Sequence, residues 1–264
     1  MNKVAVVTGG SSGIGLNICR ALADSGCTVY ELSRRSHSQE GVTHISADVS
    51  DEKQVKAAID RVAEEQGRID ILICNAGFGI SGSAEFTENA DAKKLLDVNL
   101  FGVVNAVKAA VPHMREAGGG RIVCTSSVAG VVSIPFQSWY SVSKAAINAY
   151  TGALCNELKP FGISVCAVMP GDTRTGFTDA REKSIAGDDI YGGRISRSVG
   201  KMENDERKGN SAERAGRYIC GIALKPRVKP LYSIGFTHKF LTVLNQLLPS
   251  GLRSFLLGIL YSGK

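Results

Sequence analysis

Residues 4–19 read Val4-Ala5-Val6-Val7-Thr8-Gly9-Gly10-Ser11-Ser12-Gly13-Ile14-Gly15-Leu16-Asn17-Ile18-Cys19. A short apolar run passes into a Gly/Ser-rich turn and then into a pattern with Ile14, Ile18 and Leu22 four residues apart, which predicts strand, loop, helix. Glycines let a backbone approach a ligand closely, and the amides opening a helix attract anions, so Gly9, Ser11, Ser12, Gly13, Ile14 and Gly15 are candidates for cradling a phosphate. The same stretch contains Gly9-Gly10-Ser11-Ser12-Gly13, a Gly-x-Ser-x-Gly spelling that in hydrolases presents a nucleophilic serine. Position argues against that alternative, because only one strand precedes the motif and no Asp and His partners stand at sensible places.

Outward from this stretch the alternation continues. Strands are expected near 27–33, 43–47, 69–74, 121–125 and 163–169. Helices are expected after Ser50, which can act as cap with Asp51 and Glu52 in the first turn, and over 91–117 and 138–160. Continuous Val/Ile/Cys strands alternating with helices imply a parallel, doubly wound α/β sheet with ligands at the carboxyl ends of its strands. Residues 172–210 break the rhythm, rich in Gly and charge with isolated Phe177, Ile185, Ile190 and Tyr191, and are expected to form a mobile lid. Beyond them, Ser211 can cap a helix to about Leu224, 228–234 reads as a last strand, and Phe236, Phe240, Val243, Leu244 and Leu247 share a helical face within a C-terminal helical segment of about 236–262.

Composition bounds the class. The 264 residues, 44% hydrophobic and 21% charged, suit one packed domain spanning 1–264 and exclude a disordered or collagen-like chain. Seven cysteines without Cys-x-x-Cys pairs read as reduced thiols, and the chain enters a strand with no leader-like run, so a cytoplasmic setting is expected. His37, His44, His113 and His238 have no ligand spacing, and no metal is expected. Charge is uneven: residues 181–264 hold 15 Lys/Arg against 7 Asp/Glu, and no acid follows Glu213. No basic and aromatic motif accompanies it, which argues against nucleic acid. The basic residues are dispersed, which favours burial of the C-terminal apolar faces on the domain or a subunit contact over peripheral membrane contact.

The Thr-Gly-x-x-x-Gly-Ile-Gly spacing of residues 8–15 resembles that of short-chain dehydrogenases/reductases, and the family's other motifs follow in order. They are Asp48-Val49, Asn75-Ala76-Gly77, Asn99, Ser127, Tyr140-x-x-x-Lys144 and Pro170-Gly171, with Thr173 and Thr175 close behind. The resemblance covers about residues 3–175 and implies a Rossmann-type fold, with these positions, Lys144 and Tyr140 included, lining a nicotinamide cofactor. It also implies a kinked helix at Asn99 holding a water that relays protons to Lys144, while Asn75 reads as a brace between strands.

The chemistry asks for such groups. Interconverting an alcohol and a ketone needs one group that takes or gives the hydroxyl proton, and a tyrosine of pKa about 10 needs nearby positive charge to serve as base. Four residues along one helix, Lys144 shares a face with Tyr140 and can supply it. Ser127, thirteen residues before Tyr140, resembles the family's substrate-positioning hydroxyl, with Ser126 as its decoy.

Where an NAD enzyme carries an acid at the end of the second strand, this chain has Ser33-Arg34-Arg35, a phosphate-matching pattern similar to NADP(H)-dependent members. Glu31, on the same strand face as Ser33, would become the ribose ligand if the register were otherwise. Phe78, Ile80, Ile134, Phe136, Trp139 and Phe177 are candidates for an apolar wall, so a bulky apolar alcohol or ketone, hydroxysteroids included, is the expected substrate. A non-catalytic NADP(H)-binding sensor is the other alternative. Small residues Ala145, Ala146, Ala149, Gly152 and Ala153 predict helix pairing in a homodimer or homotetramer.

Overall fold

The computed structural model describes residues 2–35, 38–235, 242, 244 and 247–262. Seven strands form its central sheet: β1 Val4–Thr8, β2 Thr28–Ser33, β3 Val42–Ser46, β4 Ile71–Cys74, β5 Gly120–Thr125, β6 Ile163–Met169 and β7 Leu231–Ser233. They lie side by side in the order β7-β6-β5-β4-β1-β2-β3, all parallel. The apolar runs predicted as strands are buried on both faces, which is why they show no alternation.

Helices α1 Gly13–Asp24, α2 Glu52–Gln66, α3 Asn89–Leu96, α4 Gly102–Glu116, α5 Ser138–Glu157, α6 Arg194–Lys208, α7 Ala212–Leu224 and α8 Ser250–Leu257 make the outer layers. Ile18 and Leu22 of α1 pack with Ile219 and Ala223 of α7 on one side of the sheet. Ile59 of α2, Val107 of α4 and Ile147 of α5 close the other. Burying a side chain of this size contributes roughly 1.5–3 kcal/mol, so these stripes hold the layers on. The cap of α2 is Asp51, whose carboxylate accepts from the amides of Lys53 and Gln54, and not Ser50 as the sequence suggested. Ser50 is instead turned onto Asp48. Ser211 does cap α7, accepting from the Arg214 amide at 3.1 Å.

The expected 91–117 helix is two helices joined by a π-helical turn at Asp97–Phe101. By length and composition the run 89–116 could cross a membrane, but half of its most apolar window lies inside the protein.

Residues 172–210 are more ordered than an irregular lid. Thr173–Arg174 pairs with Asn210–Ser211, and Glu182–Lys183 pairs with Ile80–Ser81. Between them α6 buries Ile195, Val199 and Met202 against Ile134, Phe136 and Tyr191. The sequence hid this helix because its short apolar stripe is surrounded by charge. Of the C-terminal face, Phe236, Phe240 and Val243 lie outside the described residues, and Leu247 is exposed.

Candidate active site

The sheet order reverses beside β1, whose neighbours are β2 and β4, and this opens a crevice at the strands' carboxyl ends. The loop after β1 forms one wall. Gly9 has φ +69°, and a Cβ there would stand 2.8 Å from the Ala76 Cα, so the β1 and β4 loops touch backbone to backbone. Gly15 permits an equally close approach: a Cβ would meet the Gly9 carbonyl oxygen at 2.1 Å. Gly15 therefore does not line the cleft, and its part is to seat α1. Gly9, Ser11, Ser12, Gly13 and Ile14 do line it.

Asn75 braces this corner, its amide N–H accepted by Thr8 Oγ1 at 3.0 Å and its side chain donating to the Gly9 carbonyl at 3.3 Å. Ser12 makes no side-chain cap and the first turn of α1 has no acid, which leaves a helix N-terminus suited to an anion. The cleft, about 1030 Å³, has room for a dinucleotide and a substrate.

At the end of β2, Ser33, Arg34 and Arg35 all face the cleft, with Asp48 and Val49 across from them. The Arg34 side chain is 71% exposed and stands 3.8 Å from Asp48 Oδ2, a surface pair of little energy. Glu31 does not share their position. It is 1% exposed, pairs with His44 directly opposite on β3, and accepts from Ser33 Oγ at 3.2 Å beneath Gly10. The register is thus the one that presents Ser33 and the arginines, not Glu31.

The adjacent serines after β5 diverge. Ser126 is buried and donates to the Lys144 carbonyl at 3.0 Å. Ser127 lines the cleft, accepts from the Ala129 amide at 3.1 Å, and faces the Tyr140 phenol closely enough to oppose the rise of its pKa. Lys144 lies one turn along α5, its Nζ 5.7 Å from the Tyr140 ring centre and donating to the Thr125 carbonyl at 3.0 Å.

Burial decides both pKa values. Desolvation pushes the Tyr140 phenol up to about 12, against the opposing pull of Ser127 and the Arg181 guanidinium. Desolvation also brings the Lys144 ammonium down to about 8. The Lys144 ammonium, expected from the sequence to lower the phenol's pKa, is turned instead to the Thr125 carbonyl, and desolvation keeps the phenol protonated, so Tyr140 stands as an acid.

Asn99 lies in the π-helical turn and does not reach the cleft. Its side chain accepts from the Phe78 amide at 3.0 Å and donates to the Phe78 carbonyl at 2.9 Å and Ser143 Oγ at 3.2 Å. That amide is satisfied, and it fixes the strand-to-loop turn beside Gly77. Ala76, Gly77, Pro170, Gly171, Thr173 and Thr175 complete the lining.

The apolar wall differs in part from expectation. Phe78, Ile134 and Phe177 line the cleft, whereas Ile80 is buried in its strand pair, Phe136 packs edge-on against Tyr191, and Trp139 is outside the lining. Leu244, Leu248, Leu256, Leu257, Leu260 and Tyr261 close the cleft from the C-terminal segment. The sequence showed an apolar C-terminus but nothing that tied it to the site.

Also unforeseen is Arg181, buried behind Phe177 with its guanidinium 5.5 Å from that ring and ion-paired to Glu206. Phe177 in turn packs 5.7 Å from Tyr140. Among the described histidines, His44 and His113 are spent on Glu31 and Asp60, so neither is placed to activate Ser11. Among the described residues no cluster of metal-ligating groups occurs.

The comparisons with known proteins agree with this geometry. The sequence profile described as short chain dehydrogenase matches residues 3–186. A 3-ketodihydrosphingosine reductase of Bacteroides thetaiotaomicron is 37% identical, over 98% of both chains. The human 17-beta-hydroxysteroid dehydrogenase type 1 is 34% identical over 67% of this chain and 58% of its own. Among solved structures, a short-chain dehydrogenase from Streptomyces avermitilis superposes with a TM-score of 0.82 at 28% identity, covering 98% of this chain and 96% of that one.

Proposed function

Since this chain is a member of the short-chain dehydrogenase family, whose enzymes are oxidoreductases using NAD(P)(H), we propose that it is an NADPH-dependent reductase of a ketone on a bulky apolar substrate. The observation that carries the reading is the meeting of Ser127 and Tyr140 on one cleft wall with Lys144 beneath them. When bound, the nicotinamide supplies the hydride. Ser127 orients the ketone oxygen, and Tyr140, held protonated by its desolvated position, gives that oxygen its proton. Lys144 Nζ, 5.7 Å from the ring centre, is held on the Thr125 carbonyl beneath Tyr140, and solvent restores the proton that the phenol has given up. A full proton-transfer set favours an enzyme over a cofactor-binding sensor.

Ser33, Arg34 and Arg35 at the adenosine end of the cleft support NADP(H), because guanidinium forks match a ribose phosphate where a carboxylate would repel it. The leucine-rich C-terminal wall supports an apolar substrate. The ketosphingosine-reducing relative matches the chain nearly end to end, C-terminal wall included, whereas the steroid-named relative covers two thirds. That favours a long-chain ketone over a steroid. The exposed small residues Ala145, Ala149, Gly152 and Ala153 of α5 support self-association into a dimer or tetramer.

The test is NADPH consumption on a panel of long-chain and polycyclic ketones, run beside Tyr140→Phe. Turnover by the native protein and its loss in the variant, with NADPH binding retained, is the expected result. Near-native turnover by Tyr140→Phe where chemistry limits the rate would overturn the mechanism.

A further inference from the structure

Residues 172–210 bring a buried cation close to Tyr140. The Glu182 amide donates to the Gly79 carbonyl at 3.0 Å and Glu182–Lys183 pairs with Ile80–Ser81, which carries Arg181 in behind the cleft wall. There its side chain is 1% exposed, with the guanidinium 5.5 Å from the Phe177 ring centre, and Phe177 lies tilted 5.7 Å from Tyr140. Gly79 makes room for this arrangement: a Cβ on it would stand 2.9 Å from Phe177 Cζ and 3.4 Å from Arg181 Nε. Guanidinium, ring and phenol therefore form one column.

Arginine carries a fixed charge, and a buried charge needs an answering partner. Arg181 is answered only in part. Glu206 accepts from its Nη2, while among the described residues no hydrogen-bond partner is found for Nε or Nη1. Glu206 is itself shared, since it also accepts from Thr178 Oγ1 at 2.7 Å, and it lines the cleft. Buried charges are weakly screened, so both fields reach across the Phe177 ring. The Tyr140 phenol feels both groups, the guanidinium favouring its ionised form and the Glu206 carboxylate opposing it.

The other charged groups around this corner are engaged elsewhere. Lys144, on the same helix as Tyr140, is held on the Thr125 carbonyl. Lys94 is paired with Glu182 at 2.7 Å, Lys183 with Glu203, and Arg207 with Asp179. Asp172 and Arg253 line the cleft, and each has an interaction of its own.

We propose that Arg181 is the cation that supports the Tyr140 phenolate once its proton has gone, acting across Phe177, and that Glu206 limits this support. The Tyr140 O–H bond breaks as the proton passes to the ketone oxygen, and the electron pair stays on the phenol oxygen, within the guanidinium's field. Arg181 is a positioning residue, for it does not line the cleft. The inference rests on Tyr140 as the proton donor proposed above.

The experiment follows ketone reduction by NADPH against pH in the full chain and in Glu206→Gln, Arg181→Met and the double variant. Reduction needs the protonated phenol, so its rate falls at alkaline pH as Tyr140 ionises. Glutamine keeps an oxygen for Arg181 Nη2 but no charge. Glu206→Gln should therefore bring that fall about one pH unit lower, a roughly tenfold gain in acidity. Arg181→Met should carry it higher and slow the reduction about tenfold where chemistry limits the rate, and the double variant should return close to the native profile. Asp179→Asn, changing an exposed pair, should leave the profile in place. A purely structural role would cost activity without moving the profile in opposite directions. A profile unmoved by Glu206→Gln, or moved the same way by both single variants, would overturn the proposal; if Arg181→Met does not fold, Glu206→Gln decides alone. Tyrosinate absorbance in the near ultraviolet, each chain read against its Tyr140→Phe counterpart, needs no turnover. Tyr140 should ionise at lower pH in Glu206→Gln than in the native chain, and ionisation at the same pH would overturn the proposal. A shifted ionisation with no turnover on any ketone would overturn the reductase reading and leave the pair's effect on Tyr140 standing.

Discussion

Ser126 Oγ donates to the carbonyl oxygen of Lys144 at 3.0 Å, while its neighbour Ser127 turns to the Tyr140 phenol. Two serines in sequence thus do different things, one holding α5 to the end of β5 and the other facing the cleft. Ser127→Ala should lower kcat about 10²- to 10³-fold, the usual cost of one donor lost at a reacting oxygen. Ser126→Ala should leave kcat near native and cost about 1 kcal/mol of stability through the lost buried bond. Ketone turnover with NADPH and denaturant melts on both variants check the division; the opposite pattern would exchange the roles.

Lys144 carries a cost that pH can reveal. Its folded pKa, down to about 8 from 10.5, lies below the unfolded value, so the unfolded chain binds more protons between those two pH values and stability rises with pH across that window. Below about pH 8 the penalty for the buried ammonium is present in full, of the order of 3 kcal/mol. Removing the ammonium also orphans the Thr125 carbonyl, at roughly 1 kcal/mol. Lys144→Met is therefore expected to be about 2 kcal/mol more stable than the native protein at pH 7, with the advantage gone above pH 10.5, and to be nearly inactive. Urea melts across that range read the difference; a variant less stable at pH 7 would contradict the placement of the charge.

Cofactor preference should respond at β2. Ser33→Asp combined with Arg34→Ala installs a ribose acceptor, removes a phosphate partner and repels the phosphate, which should move the NADPH:NADH affinity ratio by about 10²-fold or more. Glu31→Gln, changing a carboxylate that is shut away against His44, should leave the ratio alone. Side-by-side titrations decide, and tighter NADH binding by the native protein would end the NADP(H) assignment.

Gly15→Ala tests the seating of α1. A methyl there collides with the Gly9 carbonyl oxygen at 2.1 Å and the Asn75 side-chain nitrogen at 2.5 Å, neither of which can retreat cheaply. Loss of cofactor binding with a destabilisation of about 3 kcal/mol or more is expected, whereas Gly221→Ala, on an exposed position of α7 with open space around it, should be close to neutral. Cofactor titration and thermal melting of the two variants make the comparison.

Much of this was legible in the chain itself, for identifiable reasons. The central strands β1, β4 and β6 were readable because they are buried on both faces and so spelled in largely apolar runs, whereas the edge strand β3 is half exposed, and the site was readable because the Gly-rich loop, Ser127 and the Tyr140–Lys144 pair lie in local patterns. What escaped depends on contacts far apart in sequence. Helix α6 shows three apolar residues in a charged field, and they become a core only on meeting Ile134, Phe136 and Tyr191. Glu31 and Ser33 share a strand face, and only His44 on the neighbouring strand separates a buried carboxylate from a cleft residue. Arg181 gains its place near Tyr140 through Phe177 and Glu206, which no spacing connects.

The turn at Asp97–Phe101 sets a phase. A regular helix advances 100° per residue, so the one extra residue of a π-helical turn leaves α4 rotated by about that angle from the path α3 would have continued. That rotation is what brings Gly102 onto Val49, where a Cβ would be only 2.8 Å from its methyl, and lets Asn105 donate to the Val49 carbonyl at 2.9 Å. Deleting one residue of the turn would carry a single angular error through all fifteen residues of α4, unseating the helix from α2, whereas many substitutions at the turn's exposed positions would leave the angle unchanged. At this point in the chain the number of residues is as much a part of the instructions as their identity.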